Sequence, residues 1–354
     1  MRESARQAQQ SNGVGEMLHH EDLVIGEPRR LGSKVVQREE LLAFRRDFDP
    51  EPPPLDAKAC LCASQLHVCA MMMRLFCDGF LRHVASLGAP GVDEVRLPVP
   101  VRPGDVLTSR CTITDKRELA SRPDVGMATV VVEALNGEGK LAAGWISHQL
   151  TQRRDRAPAP GNGRPRRPRP PLVSLWDDAA PASPPACDGF FEDCPIGKTV
   201  AFGRHTFGRE EIIEFARQFD PQPFHIDAVA ARTSLFRALC ASGWHTAVIA
   251  GREIASARLS ANAAARARGI RLPWVKLAGL RNVTWPRPVY IGDSVEFRGR
   301  LTEKIAHSSD PERGMVASEV QGRNQRGELV FAATRELLIE RREAGHRASS
   351  PLAC

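Results

Sequence analysis

The 354-residue chain has an ordinary globular composition, with 42% apolar residues, 26% charged residues and a net charge of +7. Its length suggests about two domains, and its content of apolar residues excludes disorder throughout. No stretch is apolar and long enough for a membrane span, and the N-terminus lacks the apolar core of a secretory signal.

The charge and the cysteines argue against two further classes of protein. Most of the positive charge lies in arginines between residues 153 and 169, a proline-rich stretch without aromatic residues, which favours a linker over a nucleic-acid surface. The nine cysteines lack the close spacing of a zinc site, and several have apolar neighbours. We therefore expect small buried thiols in a reducing, cytoplasmic protein without a metal.

The chain order predicts two domains separated by a linker. We expect a disordered N-terminus over 1–22, an N-terminal domain over 23–152, a Pro/Arg-rich linker over 153–185, a C-terminal domain over 186–342 and a tail over 343–354.

The two domains are copies of one another. Residues 38–57 (REELLAFRRDFDPEPPPLDA) and 209–228 (REEIIEFARQFDPQPFHIDA) are identical at more than half of their positions. The tetrapeptide LCAS occurs at 61–64 and again at 239–242. An internal repeat of this extent predicts two domains with one fold.

Each copy has a readable order of elements. In the second copy, apolar spacing predicts a helix over 209–219, Asp227 is placed to cap a short helix, and a longer helix is predicted near Gly243–Leu259. Strands broken by turns follow from about residue 276 to 341. The first copy repeats this plan, with its long helix at Ala63–Ala85. A long helix followed by an antiparallel meander indicates an α+β fold.

The candidate chemistry lies in Asp220-Pro-Gln-Pro-Phe-His225. A carboxylate and an imidazole five residues apart, on a loop stiffened by two prolines, can hold and polarise one water molecule. The alternative is that Asp220 merely ends the preceding helix and His225 is a packed loop histidine. In a motif this short, taken alone, the structural alternative is favoured.

A family resemblance changes that balance. The segment FARQFDPQPFHIDAVAA, with ALCASGWHT and WPRPVYIGDSVEF downstream, resembles the hydratase-2 motif of the MaoC-like dehydratases, which include the (R)-specific enoyl-CoA hydratases. The resemblance covers nearly all of both halves. It implies two tandem hotdog domains, each a long helix wrapped by a curled antiparallel sheet, that pair as a pseudo-dimer within one chain.

The resemblance also implies an activity and its residues. It implies a hydro-lyase of fatty acid metabolism that interconverts trans-2-enoyl-CoA and (R)-3-hydroxyacyl-CoA without a cofactor. Asp220 would be the general base on water, His225 would supply or relay the proton to C2, and the N–H of Gly243 would bind the thioester oxygen. We expect the substrate to contact Gln222, Phe224, Ser242 and Trp244. The expected partner is a thioester of coenzyme A or of an acyl carrier protein, with no nucleic acid or membrane, for a monomeric pseudo-dimer or a homodimer.

The sequence departs from the family pattern in both copies. Gln222 replaces the family's asparagine, and Phe219 replaces the glycine expected before the aspartate. In the first copy Asp49 is retained, but Pro54 stands at the histidine position and Gln65 at the glycine position. Because proline cannot transfer a proton, we expect one active site per chain, with the first copy as a scaffold.

Three alternatives stay open at this point. One is a hotdog acyl-CoA thioesterase, which would release free thiol. Another is an acyl-CoA-binding partner subunit without catalysis, and the last is a nucleic-acid-binding protein that uses the arginine-rich residues 153–169. We interpret His67 and His245, in apolar helical surroundings, as packed core histidines.

Overall fold

The computed structural model describes residues 17–50, 61–154, 174–176, 189–270, 272–305 and 310–342. We call residues 17–154 the N-terminal half and residues 189–342 the C-terminal half. The strands are β1 (Pro28–Val35), β2 (Ser86–Arg96), β3 (Val106–Leu119), β4 (Arg122–Leu135), β5 (Leu141–Gln152), β6 (Thr199–Thr206), β7 (Val275–Thr284), β8 (Ser294–Ile305), β9 (Arg313–Arg323) and β10 (Leu329–Glu340). The helices are α1 (Arg38–Phe48), α2 (Gln65–Gly79), α3 (Arg209–Phe219), α4 (Pro223–Ile226), α5 (Ala228–Thr233) and α6 (Gly243–Ala267).

The strands form one continuous ten-stranded sheet in the order β1-β3-β4-β5-β2-β7-β10-β9-β8-β6. Read from its outer edge, each half has the same topology: β1-β3-β4-β5-β2 in one and β6-β8-β9-β10-β7 in the other. The halves join where β2 pairs antiparallel with β7. Within each half a long helix, α2 or α6, packs against the strands. The α+β class and the internal repeat are therefore confirmed.

The helix predicted at 209–219 has the bounds Arg209–Phe219, but both long helices differ from prediction. The helix α2 covers only Gln65–Gly79, because β1 crosses at its end: a Cβ on Gly79 would lie 2.4 Å from the Cα of Leu31. The helix α6 continues to Ala267, beyond the predicted Leu259, because its last turns are rich in alanine.

Stacked rings fill the junction between the halves. His67 stacks on Phe44 with ring centroids 4.1 Å apart, and His245 stacks on Phe215 at 4.4 Å. Phe219 packs edge-on against Phe44 across the junction. Both histidine rings are fully buried, and burial lowers the pKa of His245 to about 3, so this ring is neutral at physiological pH. The two histidines therefore pack in the core, as the sequence indicated.

The described residues correct the expected domain boundaries at two places. Residues 17–22 belong to the N-terminal half rather than to a disordered tail, because Leu18 bridges to Val84 and the buried His20 ring lies 2.9 Å from the Thr151 hydroxyl. Within the expected linker, Leu175 is fully buried. The rest of the linker, the first sixteen residues and the tail from 343 lie outside the described residues.

Among the described residues, no helix is both long and apolar enough to cross a membrane.

Candidate active site

Asp220 lies immediately after α3 with its carboxylate buried, 3% exposed. Three side chains donate hydrogen bonds to it. The hydroxyl of Ser242 donates to Oδ2 over 2.6 Å, while Gln222 Nε2 and the thiol of Cys77 donate to Oδ1 over 2.9 and 3.1 Å. A buried carboxylate needs such donors to remain charged.

His225 lies on α4, whose first residue is Pro223, a residue type suited to the first turn of a helix. Its ring is 4% exposed, and Nδ1 lies 2.8 Å from the carbonyl oxygen of Cys240. Because a carbonyl only accepts hydrogen bonds, Nδ1 carries the proton of the neutral ring. The other nitrogen, Nε2, faces Asp220 Oδ2 at 3.6 Å.

When the carboxylate is ionised and the imidazole carries one proton, two hydrogen-bond acceptors converge: Asp220 Oδ2 and the Nε2 lone pair of His225. A water molecule has two O–H groups and can donate one to each of them. In that position its oxygen is polarised, and either acceptor can take a proton from it. The geometry is suited to proton transfer to and from one water molecule.

Two neighbouring segments hold the loop before α6 in place. The N–H of Ala241 donates to the carbonyl of Val289 over 2.8 Å, and the Tyr290 hydroxyl donates to the carbonyl of Phe236 over 2.9 Å. These bonds fix the Cys240 carbonyl, which in turn orients the His225 ring. Gly292 and Asp293 form a turn next to these segments. Gly292 has a φ of +82°, and the Asp293 carboxylate accepts a hydrogen bond from the N–H of Tyr290.

Gly243 is the first residue of α6, where helical N–H groups have no partner within the helix. The indole ring of Trp285 lies directly against it, and a Cβ at position 243 would come within 2.6 Å of two ring carbons. Only glycine fits under this ring. The Nε1 of Trp285 is buried and has no acceptor within the described part of the chain.

A cavity of about 330 Å³ opens beside the Asp220–His225 pair. Gln222, Phe224 and Trp244, three of the residues expected to contact the substrate, line it together with Gly243. Ser242 does not: its side chain is fully buried and its hydroxyl is committed to Asp220, which corrects its expected role. The N-terminal half supplies much of the opposite wall, including Phe76, Trp145 and the segment 87–90.

Three residues near the pair were not assigned from the sequence. Cys77 and Ser86 lie in the N-terminal half, and Ser86 donates to Gln222 Oε1 over 3.2 Å. Trp285 stands in a segment that carried the resemblance, but no pattern showed that its ring covers Gly243. Phe219, the residue that departs from the family's glycine, packs at the junction between the halves.

The corresponding position of the N-terminal half is built differently. Cys62 and Cys240 share one place in the repeated tetrapeptide, but Arg45, not a histidine, donates to the Cys62 carbonyl, over 3.3 Å. Ser64, the counterpart of Ser242, accepts a hydrogen bond from the N–H of His67. Gln65 replaces glycine as the first residue of the helix. The loop containing Pro54 lies outside the described residues.

Among the described residues, no three His, Cys, Asp or Glu side chains converge as metal ligands would.

Comparisons with known proteins agree with this fold. A MaoC-like double-hotdog architecture is shared with a MaoC domain protein from Chloroflexus aurantiacus, at a TM-score of 0.71 and 17% identity over 94% of this chain and 100% of that one. A double-hotdog-fold protein from Mycobacterium tuberculosis matches at a TM-score of 0.57 and 14% identity, over 91% of this chain and 98% of the other. A MaoC-like dehydratase from Rhodospirillum rubrum is 35% identical over 43% of this chain and 97% of its own, with a TM-score of 0.37.

No curated protein sequence matches the chain significantly. The model of the MaoC like domain matches residues 193–322, which include Asp220, His225 and Gly243. The C-terminal half therefore contains a MaoC-like domain, and the chain as a whole has a double-hotdog fold.

Proposed function

We propose that the protein is a hydratase that interconverts trans-2-enoyl-CoA and (R)-3-hydroxyacyl-CoA, with one active site per chain. The observation that carries the proposal is the facing pair of Asp220 Oδ2 and His225 Nε2, 3.6 Å apart and buried beside a cavity. The match of residues 193–322 to the MaoC like domain supports water as the reactant.

In the hydration direction the water molecule lies between Asp220 and His225. Its oxygen adds to C3 of the enoyl group, and Asp220 accepts one of its protons. Asp220 passes this proton to His225 Nε2, which faces it at 3.6 Å and delivers it to C2, while Nδ1 stays bound to the Cys240 carbonyl. One O–H remains on C3, so the atoms of water are all accounted for.

Negative charge develops on the thioester oxygen as the water adds to C3. The N–H of Gly243, at the positive end of the long helix α6, is the donor we assign to that oxygen. A fixed donor in a site with little water stabilises such charge more strongly than water does. The packing of Trp285 against Gly243 supports this role, because it keeps the helix start free of any side chain.

The test is the loss of enoyl-thioester absorbance over a series of acyl chain lengths, on both coenzyme A and acyl carrier protein. We expect Asp220→Asn and His225→Ala each to lower kcat by about a hundredfold or more. Asp49→Asn, the same change in the other copy, should leave turnover nearly intact. Equal activity in wild type, Asp220→Asn and His225→Ala would refute the proposal, and stoichiometric release of free thiol would favour a thioesterase instead.

A further inference from the structure

We propose that the N-terminal half completes the active site of the C-terminal half, with Cys77 and Ser86 as positioning residues for the Asp220 carboxylate. The inference rests on the proposed function, because it assigns a working orientation to the group that activates water. It gives the half in which Pro54 replaces the motif's histidine a defined part in the reaction, beyond that of a scaffold.

The contact from Cys77 is direct. Its thiol lies on α2 and donates to Asp220 Oδ1 over 3.1 Å, across the junction between the halves. Both side chains are buried. Burial, together with the negative charge of Asp220, raises the pKa of the Cys77 thiol well above its ordinary value. The sulfur therefore keeps its proton at neutral pH and stays a hydrogen-bond donor.

The contact from Ser86 acts through Gln222. The Ser86 hydroxyl, at the start of β2, donates to Gln222 Oε1 over 3.2 Å. An amide whose oxygen accepts this bond must turn its NH₂ group the other way, and Nε2 donates to Asp220 Oδ1 over 2.9 Å. Ser86 thus selects the amide orientation that can donate to the carboxylate.

The two contacts converge on the carboxylate oxygen that does not face His225. Oδ1 receives Cys77 and Gln222, whereas Oδ2 receives Ser242 and faces the imidazole. The last side-chain torsion of an aspartate is soft, so one donor on one oxygen does not fix the plane of the carboxylate. Donors on both oxygens do, and those on Oδ1 depend on the N-terminal half.

The internal repeat provides a comparison for this thiol. Ala255 lies at the same distance beyond the second LCAS tetrapeptide as Cys77 lies beyond the first. Ala255 is buried but has no group that could donate to the other copy's aspartate, Asp49. At this position of the repeat, α2 therefore carries a thiol donor and α6 carries none.

The experiment compares three cysteine variants on an enoyl thioester that the wild type hydrates. Cys77→Ala removes the donor, Cys77→Ser retains one, and Cys69→Ala removes an equally buried thiol from the same helix. We expect Cys77→Ala to lower kcat by about five- to tenfold with KM changed less than twofold, the size expected for one hydrogen bond. Cys77→Ser should recover most of this loss, and Cys69→Ala should match the wild type.

The pH profile separates positioning from loss of packing. The described titratable groups that contact or face Asp220 are His225, Cys77 and Cys240. A hydrogen bond to a carboxylate favours its charged form over its protonated form. The acidic limb of kcat should therefore move to higher pH in Cys77→Ala, and Cys69→Ala should not move it.

An infrared measurement tests the contact without using activity. The S–H stretch of Cys77, taken as the difference between wild type and Cys77→Ala, should lie below that of Cys69 and should shift in Asp220→Asn. An unshifted S–H band would overturn the inference whatever the activity. If the wild type is active and Cys77→Ala behaves like Cys69→Ala, this inference is wrong and the proposed function stands. If the wild type is inactive on enoyl thioesters, the proposed function is contradicted.

Discussion

Replacement of Ser242 by alanine removes two hydrogen bonds of different kinds. Its hydroxyl donates to Asp220 Oδ2 over 2.6 Å and accepts from the N–H of Trp244, in the first turn of α6, over 3.2 Å. The repeat supplies a control, because Ser64 has the same place before α2 and accepts from the N–H of His67 over 3.3 Å. Ser64→Ala therefore removes a helix cap alone.

The structure sets the expected magnitudes. Loss of a helix-capping hydroxyl costs about 1 kcal/mol of unfolding free energy, which is our expectation for Ser64→Ala. The short bond to the Asp220 carboxylate is charge-assisted, and its loss leaves a buried carboxylate oxygen without its donor. This contributes about 1.5–3 kcal/mol more, so Ser242→Ala should be destabilised by about 2.5–4 kcal/mol in total.

The two variants should differ more strongly in activity. Without the hydrogen bond from Ser242 to Oδ2, the Asp220 carboxylate spends less time in the orientation that holds water. We therefore expect kcat of Ser242→Ala to fall by about ten- to a hundredfold. Ser64→Ala should retain wild-type kcat. Urea unfolding and enoyl-thioester hydration measure the two effects separately. Equal losses of stability in both variants, or unchanged kcat in Ser242→Ala, would refute this account of Ser242.

Two further outcomes are expected. Gly243→Ala would put a Cβ 2.6 Å from the Trp285 ring and should lower kcat/KM by about a hundredfold. The double variant Gly243→Ala/Trp285→Ala should recover part of this loss. A fully active Gly243→Ala variant would show that the ring moves freely and would contradict the prediction. The pKa of His245 in the folded protein is about 3, so below pH 6.5 the unfolded chain binds a proton that the folded chain does not. The free energy of unfolding therefore decreases as the pH drops, with a slope that approaches about 1.4 kcal/mol per pH unit. Urea unfolding at pH 6.5 and 5 should give a shallower loss in His245→Phe, and an identical slope would contradict this assignment.

The features that could be predicted from the sequence are those set by residues close together in the chain. The helix Arg209–Phe219 has its predicted bounds because its acidic first turn and apolar spacing are local signals. Asp227 caps α5 by accepting from the N–H of Val229, again as predicted. The pairing of Asp220 with His225 across 3.6 Å follows from a short, stiff segment between them.

Contacts between distant segments could not be read in the same way. Cys77 lies 143 residues before Asp220, and no periodicity brings a thiol of one copy to a carboxylate of the other. The end of α2 at Gly79 depends on the close approach of Leu31. The motif around Ser242 does not show where its hydroxyl points, so the sequence assigned this residue to substrate contact rather than to Asp220. These features are set by packing between the halves.

The antiparallel pairing of β2 with β7 joins two related domains that belong to one covalent chain. In a dimer of identical chains, every substitution changes both sites at once. Here the two domains can vary independently, and Pro54 stands in one copy where His225 stands in the other. The same freedom allows Cys77 in one domain to donate to Asp220 in the other, while Ala255 stands at the corresponding position of the second copy.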